Sequence, residues 1–208
     1  VYKRQAQDVE LIEESMAAAI GAGLPVFEAT GSMIVDIGGG TCDVAVISLG
    51  GIAASRSIKV GGDAFDEAIV NHMKKAHNLL IGKNTAEDIK LKIGSVSEYD
   101  GEGAMDVKGR NLTDGLPKSV EVTSAEIRDV LAEPVSKIIA SIKETLEVTL
   151  PELASDIIDR GIYLAGGSSQ LRGLPELIAK ETKMQVHIPE KPLDCVAIGT
   201  SIKLRRAQ

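Results

Sequence analysis

The residues best suited to chemistry lie in Met33-Ile34-Val35-Asp36-Ile37-Gly38-Gly39-Gly40-Thr41-Cys42-Asp43-Val44-Ala45-Val46-Ile47. Two runs rich in Val and Ile flank an aspartate and three glycines, which predicts two strands joined by a glycine hairpin. Consecutive glycines let backbone N–H groups point inward and approach a phosphate without obstruction by a Cβ. Asp36, at the end of the first strand, can hold a hydrated divalent cation beside that phosphate. The same residues also suit a hairpin turn that binds nothing. A strand follows the glycines where a Walker motif would place a helix and a lysine, so the stretch is not a P-loop.

A second glycine-centred stretch is Gly161-Ile162-Tyr163-Leu164-Ala165-Gly166-Gly167-Ser168-Ser169-Gln170-Leu171. It predicts a strand running into Gly-Gly, a small polar pair and a further helix. Glycines there let the backbone lie against a flat ring, and Ser168 and Ser169 can donate to phosphate or ribose oxygens. An ordinary strand-to-helix turn has the same form.

The elements that must position these residues are read from periodicity and caps. Val9 and Leu11 alternate as a short strand, and Ser15 to Gly21 is an Ala-rich helix that Ser15 can cap and Gly21 or Gly23 can stop. Gly50-Gly51 turns the chain into a third strand, Ile52 to Val60. A helix follows with Asp63 as N-cap, Asp66 in its first turn, and an apolar face of Phe65, Ile69, Met73 and Ala76. A second helix over 84–94, capped by Asn84 or Thr85, carries Glu87 and Lys90 at ion-pair spacing. Strands are expected over Ala104–Lys108 and Ser119–Thr123. Ser124 then caps a long helix with the stripe Ile127, Leu131, Val135, Ile138, Ile142 and Leu146, which Pro134 should kink or divide. Pro151 to Gly161 is a short helix, Met184–Ile188 a last strand, and Pro192–Arg206 a last helix with Lys203, Arg205 and Arg206 at its favourable end. Val1-Tyr2-Lys3-Arg4-Gln5 reads as a frayed start.

A length of 208 residues suits one domain, with or without a smaller insert, and 44% apolar with 25% charged residues is a globular balance. A net charge of −7, with two Phe, three Tyr and no Trp, argues against a nucleic-acid surface, which needs a basic stripe or stacking rings. No apolar run reaches the roughly 18 residues that span a bilayer, and the start has no signal-peptide pattern. Cys42 and Cys195 form neither a CxxC pair nor a disulfide framework, which points to a reducing cytosol. His72, His77 and His187 lack metal-ligand spacing with one another.

Val35-Asp36-Ile37-Gly38-Gly39-Gly40-Thr41, with Val44 to Leu49 after it, resembles the second phosphate-binding hairpin of the actin, sugar-kinase and heat-shock-chaperone ATPase superfamily. Its wording is most similar to the bacterial actin family of rod-shape-determining MreB proteins. Glu13-Glu14-Ser15-Met16-Ala17-Ala18-Ala19-Ile20-Gly21 and Gly109-Arg110-Asn111-Leu112-Thr113-Asp114-Gly115-Leu116-Pro117 are similar to phrases of that family. Ser15 stands where the family has proline, and Ser168 where it has a third glycine. The resemblance spans about residues 7 to 204 and implies an α/β fold, the second half only of an actin-like ATPase domain. Within it, residues 1–61 and 123–208 would form a ribonuclease-H-like nucleotide-binding subdomain, and residues 62–122 a smaller inserted α/β subdomain.

The resemblance also implies a site for ATP and Mg²⁺. Glu14 and Thr41 would orient the attacking water, although Glu14 equally suits a solvated acid at a helix start. Asp36 would hold the metal through water. Gly38, Gly39, Gly40, Thr41, Gly166, Gly167, Ser168 and Ser169 would bind the nucleotide, with Glu87 and Lys90 lining the adenine and ribose end or forming a plain surface ion pair. The implied activity is ATP-dependent assembly into cytoplasmic, membrane-associated filaments that guide cell-wall synthesis and maintain rod shape. Its partners would be further copies of the chain, wall-synthesis proteins and the inner membrane, the last through a first domain expected outside these residues. The isolated chain is accordingly expected to bind ATP weakly and to hydrolyse essentially none. The alternatives are a chaperone nucleotide domain, which Asp43 and Ser168 suit, and a fragment that keeps filament contacts without turnover.

Overall fold

The Val- and Ile-rich runs around the glycines form β1 (Ser32–Ile37) and β2 (Cys42–Ser48) of the computed structural model, which describes residues 9–206. With β3 (Gly51–Ile58) they make an antiparallel meander. Its second turn is Leu49-Gly50, with φ of 51° and 74°, rather than Gly50-Gly51. Two consecutive positive φ values match the twist of a tight hairpin. β7 (Ile162–Ala165) lies parallel to β1, and β8 (Val186–His187) parallel to β7, so the five-stranded sheet runs β3-β2-β1-β7-β8.

All six residues of β1 are buried, which is why its sequence is a near-continuous apolar run instead of an alternation. On one face, Met33, Val35, Ile37, Val44 and Val46 share a buried cluster with Ile127, Leu131, Val135, Ile138 and Ile142 of α4 (Ser124–Val148). On the other, Ile34, Ala45, Ile47 and Ala165 pack with α1 (Glu14–Gly21) and Cys195, the first residue of α7 (Cys195–Arg206). α1 and α7 touch backbone to backbone. A Cβ on Gly199 would stand 1.8 Å from the Ala17 carbonyl oxygen, and one on Gly21 would stand 1.8 Å from that of Cys195.

Residues 62–122 supply α2 (Gly62–His77), β4 (Leu79–Leu80), α3 (Lys83–Ile93), β5 (Ala104–Asn111) and β6 (Pro117–Thr123). The strands form a second, antiparallel sheet ordered β4-β5-β6. Phe65, Ile69, Met73, Leu79 and Ile89 join the same buried cluster as the large sheet. α5 (Pro151–Arg160) and α6 (Leu174–Thr182) complete the helices.

Several local expectations shift. Val9 and Leu11 form no strand; they are 81% and 89% exposed, with no ladder among the described residues to pair with. Ser15 lies inside α1, whose N-cap is Glu13, and Gly23 (φ 79°) supplies the left-handed residue beyond its end. Gly61 takes the N-cap of α2 in place of Asp63, and Ala76 is exposed. Gly82, not Asn84 or Thr85, precedes α3. Thr123 caps α4 by accepting from the Glu126 N–H, while the Ser124 hydroxyl donates to the Gly103 carbonyl. α4 continues through Pro134 for 25 residues, because buried Leu131 and Val135 hold it to the sheet on both sides of the lost hydrogen bond. Lys203 pairs with Glu10 at 2.8 Å. The expectation for Val1–Gln5, and that for the Arg206 side chain, fall outside the described residues.

Candidate functional site

The C-terminal end of β1, the glycine hairpin, the first turns of α1 and α2, one side of α3 and the turn after β7 enclose a cavity of about 720 Å³. That volume falls within the roughly 300–1,000 Å³ of small-molecule sites. Sheet order explains the convergence. β1 and β7 are parallel neighbours, so their C-terminal ends emerge side by side and bring Asp36 against Gly166.

Contact there is tight. Gly166 has φ 82°, and a Cβ on it would lie 2.3 Å from the Ile37 carbonyl oxygen and 2.5 Å from Asp36 Oδ1. The Gly38 carbonyl accepts from the Gly62 N–H (3.0 Å) and from the Ser168 hydroxyl (2.9 Å), so one oxygen joins the hairpin, α2 and the β7 turn. The Gly39 carbonyl accepts from the Asp63 N–H at 2.8 Å. The first N–H groups of α2 therefore grip the hairpin and do not face a ligand. The N–H groups of Gly39 and Gly40, in contrast, make no hydrogen bond among the described residues.

The site is rich in negative charge. Burial first, then the charges of Glu14 and Asp43, push the Asp36 carboxyl from its ordinary 3.8 up to about 6. A buried carboxylate in that field needs a proton or a cation to offset it. Lys90 does not serve, since its Nζ pairs with Asp66 Oδ1 at 2.8 Å and lies 3.4 Å from the Gly62 carbonyl oxygen.

Of the residues singled out from the sequence, Glu14, Asp36, Gly38, Gly39, Glu87, Lys90, Gly166, Gly167 and Ser168 line this cavity. Gly40 and Thr41 stand exposed at the hairpin tip, outside its lining. Ser169 is fully buried and gives its hydroxyl to the Gly166 carbonyl (2.6 Å), so it braces the turn from behind. Glu87 makes no pair with Lys90, whose partner comes from α2. Sequence reading missed Asp66 as that partner, and also Arg172 and Leu193. Arg172 stacks its guanidinium 4.2 Å from the Tyr99 ring centroid. The signal for it was present in Gln170-Leu171-Arg172, directly after the serine pair.

The residues fit a polyanion accompanied by a divalent cation. Two free N–H groups suit phosphate oxygens, and the Glu14–Asp36 pair suits a hydrated metal.

The family described as MreB/Mbl protein matches residues 1–208. Cell shape-determining protein MreB of Escherichia coli (strain K12) is 53% identical over 194 residues, covering 93% of this chain and 56% of that protein. Cell shape-determining protein Mbl of Bacillus subtilis (strain 168) is 48% identical over 202 residues, covering 97% of this chain and 61% of that protein. Among solved structures, MreB 5 of Spiroplasma citri bound to AMPPNP superposes with a TM-score of 0.95 at 41% identity, over 99% of this chain and 62% of that one. The same protein bound to ADP also gives 0.95. A MamK double helical filament, at 21% identity over 93% of this chain and 58% of that one, gives 0.75 and speaks for the fold alone.

Proposed function

The chain belongs to the MreB/Mbl family and has an actin-like fold, and from that premise we propose that it is the nucleotide-binding half of an ATP-dependent cytoskeletal protein that determines cell shape. The observation that carries this is the free N–H group of Gly39 in the lining of the cavity that Asp36 shares, with that of Gly40 free at the hairpin tip. That MreB 5 of Spiroplasma citri was solved with AMPPNP and with ADP supports an adenine nucleotide as the ligand. The matched relatives are cell-shape proteins, so the chaperone alternative is not favoured.

ATP with Mg²⁺ supplies a phosphoryl group whose transfer needs positioning and charge stabilisation more than covalent help. In this reading the Gly39 and Gly40 N–H groups donate to phosphate oxygens. Asp36 would hold the cation through water, Glu14 would accept a hydrogen bond from the attacking water, and the Thr41 hydroxyl at the hairpin tip would help to orient it. Glu87 and Lys90 line the base and ribose end, and Gly166 and Gly167 lay bare backbone against the nucleoside. Ser168 keeps the hairpin and the turn together, and Ser169 stiffens that turn. Residues 1–61 and 123–208 act as one subdomain and 62–122 as a smaller one.

The assembly we propose is a cytoplasmic filament of further copies, held at the inner membrane with wall-synthesis proteins. No helix among the described residues is long and apolar enough to cross a membrane. Equilibrium dialysis against ATP with and without Mg²⁺, paired with sedimentation, tests the proposal in the longest product of the gene. The expected result is Mg²⁺-dependent binding and ATP-dependent pelleting. Failure of both would overturn the reading.

A further inference from the structure

Away from the cavity, two of the chain's three histidines meet one carboxylate. His72 Nε2 and His77 Nε2 each lie 2.5 Å from Glu126 Oε1, and the ligand atoms of the three side chains all fall within 4.8 Å of one another. The rings are edge to face, with centroids 5.8 Å apart. Sequence spacing concealed this group. Five positions separate the histidines on α2, a step of about 140° around the helix that puts them on different faces. The third member comes from the first turn of α4.

We propose that His72, His77 and Glu126 form a binding site for a zinc-class divalent transition-metal ion. Two imidazoles and one carboxylate are a zinc donor set, and nitrogen ligands discriminate against Mg²⁺ and Ca²⁺, which take oxygen. Ligand atoms about 2.1 Å from a tetrahedral ion stand about 3.4 Å apart, so the two His–Glu126 distances have to open by about an ångström to admit one. The three side chains are between 23% and 26% exposed, which leaves an entry path and a fourth position for water. Among the described residues Glu126 Oε2 makes no hydrogen bond, so it is open to bind as well.

One further observation favours a ligand role for Glu126. Thr123-Ser124-Ala125-Glu126 has the form of a capping box, in which the glutamate would turn back to the Thr123 N–H. Here the carboxylate turns to the histidines instead. None of the three residues lines the nucleotide cavity. They sit at the far end of α2, whose near end grips the phosphate hairpin, and about 15–20 Å along the helix separates the two. A metal here fastens α2 to α4 and so pins the small sheet's helix against the large sheet's layer.

The test is calorimetric titration of the nucleotide-free full chain with ZnCl₂, plus visible absorption after CoCl₂ addition. One equivalent of Zn²⁺ should bind, Mg²⁺ in excess should not displace it, and Co²⁺ should give tetrahedral absorption bands. His77→Ala and Glu126→Gln should each weaken binding at least about tenfold, since even outer-shell partners of a metal are worth that much. His187→Ala should change nothing. His72→Cys should keep the site and add a thiolate-to-cobalt charge-transfer band, a readout that a merely destabilised variant would not give. No Zn²⁺ binding, binding unaffected by His77→Ala and Glu126→Gln, or a His72→Cys protein without the new band would each overturn the proposal and leave a plain hydrogen-bonded cluster.

Discussion

Replacing Asp36 with asparagine keeps the side chain's shape and removes its charge. The residue is only 6% exposed, and burial, Glu14 and Asp43 together lift its carboxyl from 3.8 to about 6. Folded protein thus binds this proton more tightly than unfolded protein. The charge costs nothing below about pH 4, costs progressively more up to pH 6, and costs its full amount above that. A shift of roughly two units corresponds to about 3 kcal/mol, and water in the adjoining cavity reduces this to about 2 kcal/mol. In nucleotide-free protein, Asp36→Asn should therefore be more stable than wild type by about 2 kcal/mol at pH 8 and nearly equal to it at pH 4. Urea unfolding of both proteins across that range measures the difference, in which the other carboxylates cancel. Saturating Mg²⁺ with ATP should reverse the order at pH 8, because the variant loses the charge proposed to hold the cation. A difference that does not change with pH, or a variant weaker throughout, would refute the account and make Asp36 a structural acceptor.

Three further outcomes follow from the same geometry. Glu14→Ala should lower kcat for ATP hydrolysis far more than it weakens ATP binding, Thr41→Ala should act alike, and the double variant should show less than the sum if both hold one water; steady-state kinetics with separate binding measurements decide this. Gly166→Ala forces a Cβ into the Ile37 carbonyl at positive φ, and should destabilise the fold by about 3 kcal/mol in thermal melts, combining backbone strain with overpacking. Burial, with Asp43 and Asp36 adding to it, pushes the Cys42 thiol up to about 12, so iodoacetamide at pH 8 should leave native Cys42 unlabelled by mass spectrometry and modify it only after denaturation.

The meander was legible because glycines and an all-apolar strand are local signals, and β1 to β3 came out within two residues of expectation. The caps were not. Thr123 and Ser124 offer the same hydroxyl one position apart, and only the ladder to Ala104 decides which of them ends the strand and which begins the helix. The two serines after Gly167 show the same limit within the site. Residue types permit both hydroxyls to face a ligand, but a single 3-10 turn points Ser168 at the hairpin and Ser169 into the core. Lys90 pairs across helices with Asp66 instead of along its own helix with Glu87, a choice that belongs to packing and not to spacing. The His72–His77–Glu126 group escaped for the same reason, since its third member is 49 residues beyond the second.

The bare contact between α1 and α7 reaches further than packing. Glu14 is the first residue of α1, and where its carboxylate stands depends on how that short helix lies on α7. A methyl group on Gly199 would have to push the Ala17 backbone away, rotating the helix and with it the acid at its tip. Selection for slow nucleotide turnover should therefore recover alleles at Gly199 and Gly21 as readily as at Glu14 itself. Those alleles would leave every residue around the nucleotide unaltered, so an inventory of binding residues alone would score them as silent. The aim of the carboxylate proposed to position water is, in this chain, inherited from two missing side chains on the opposite face of the sheet from α4.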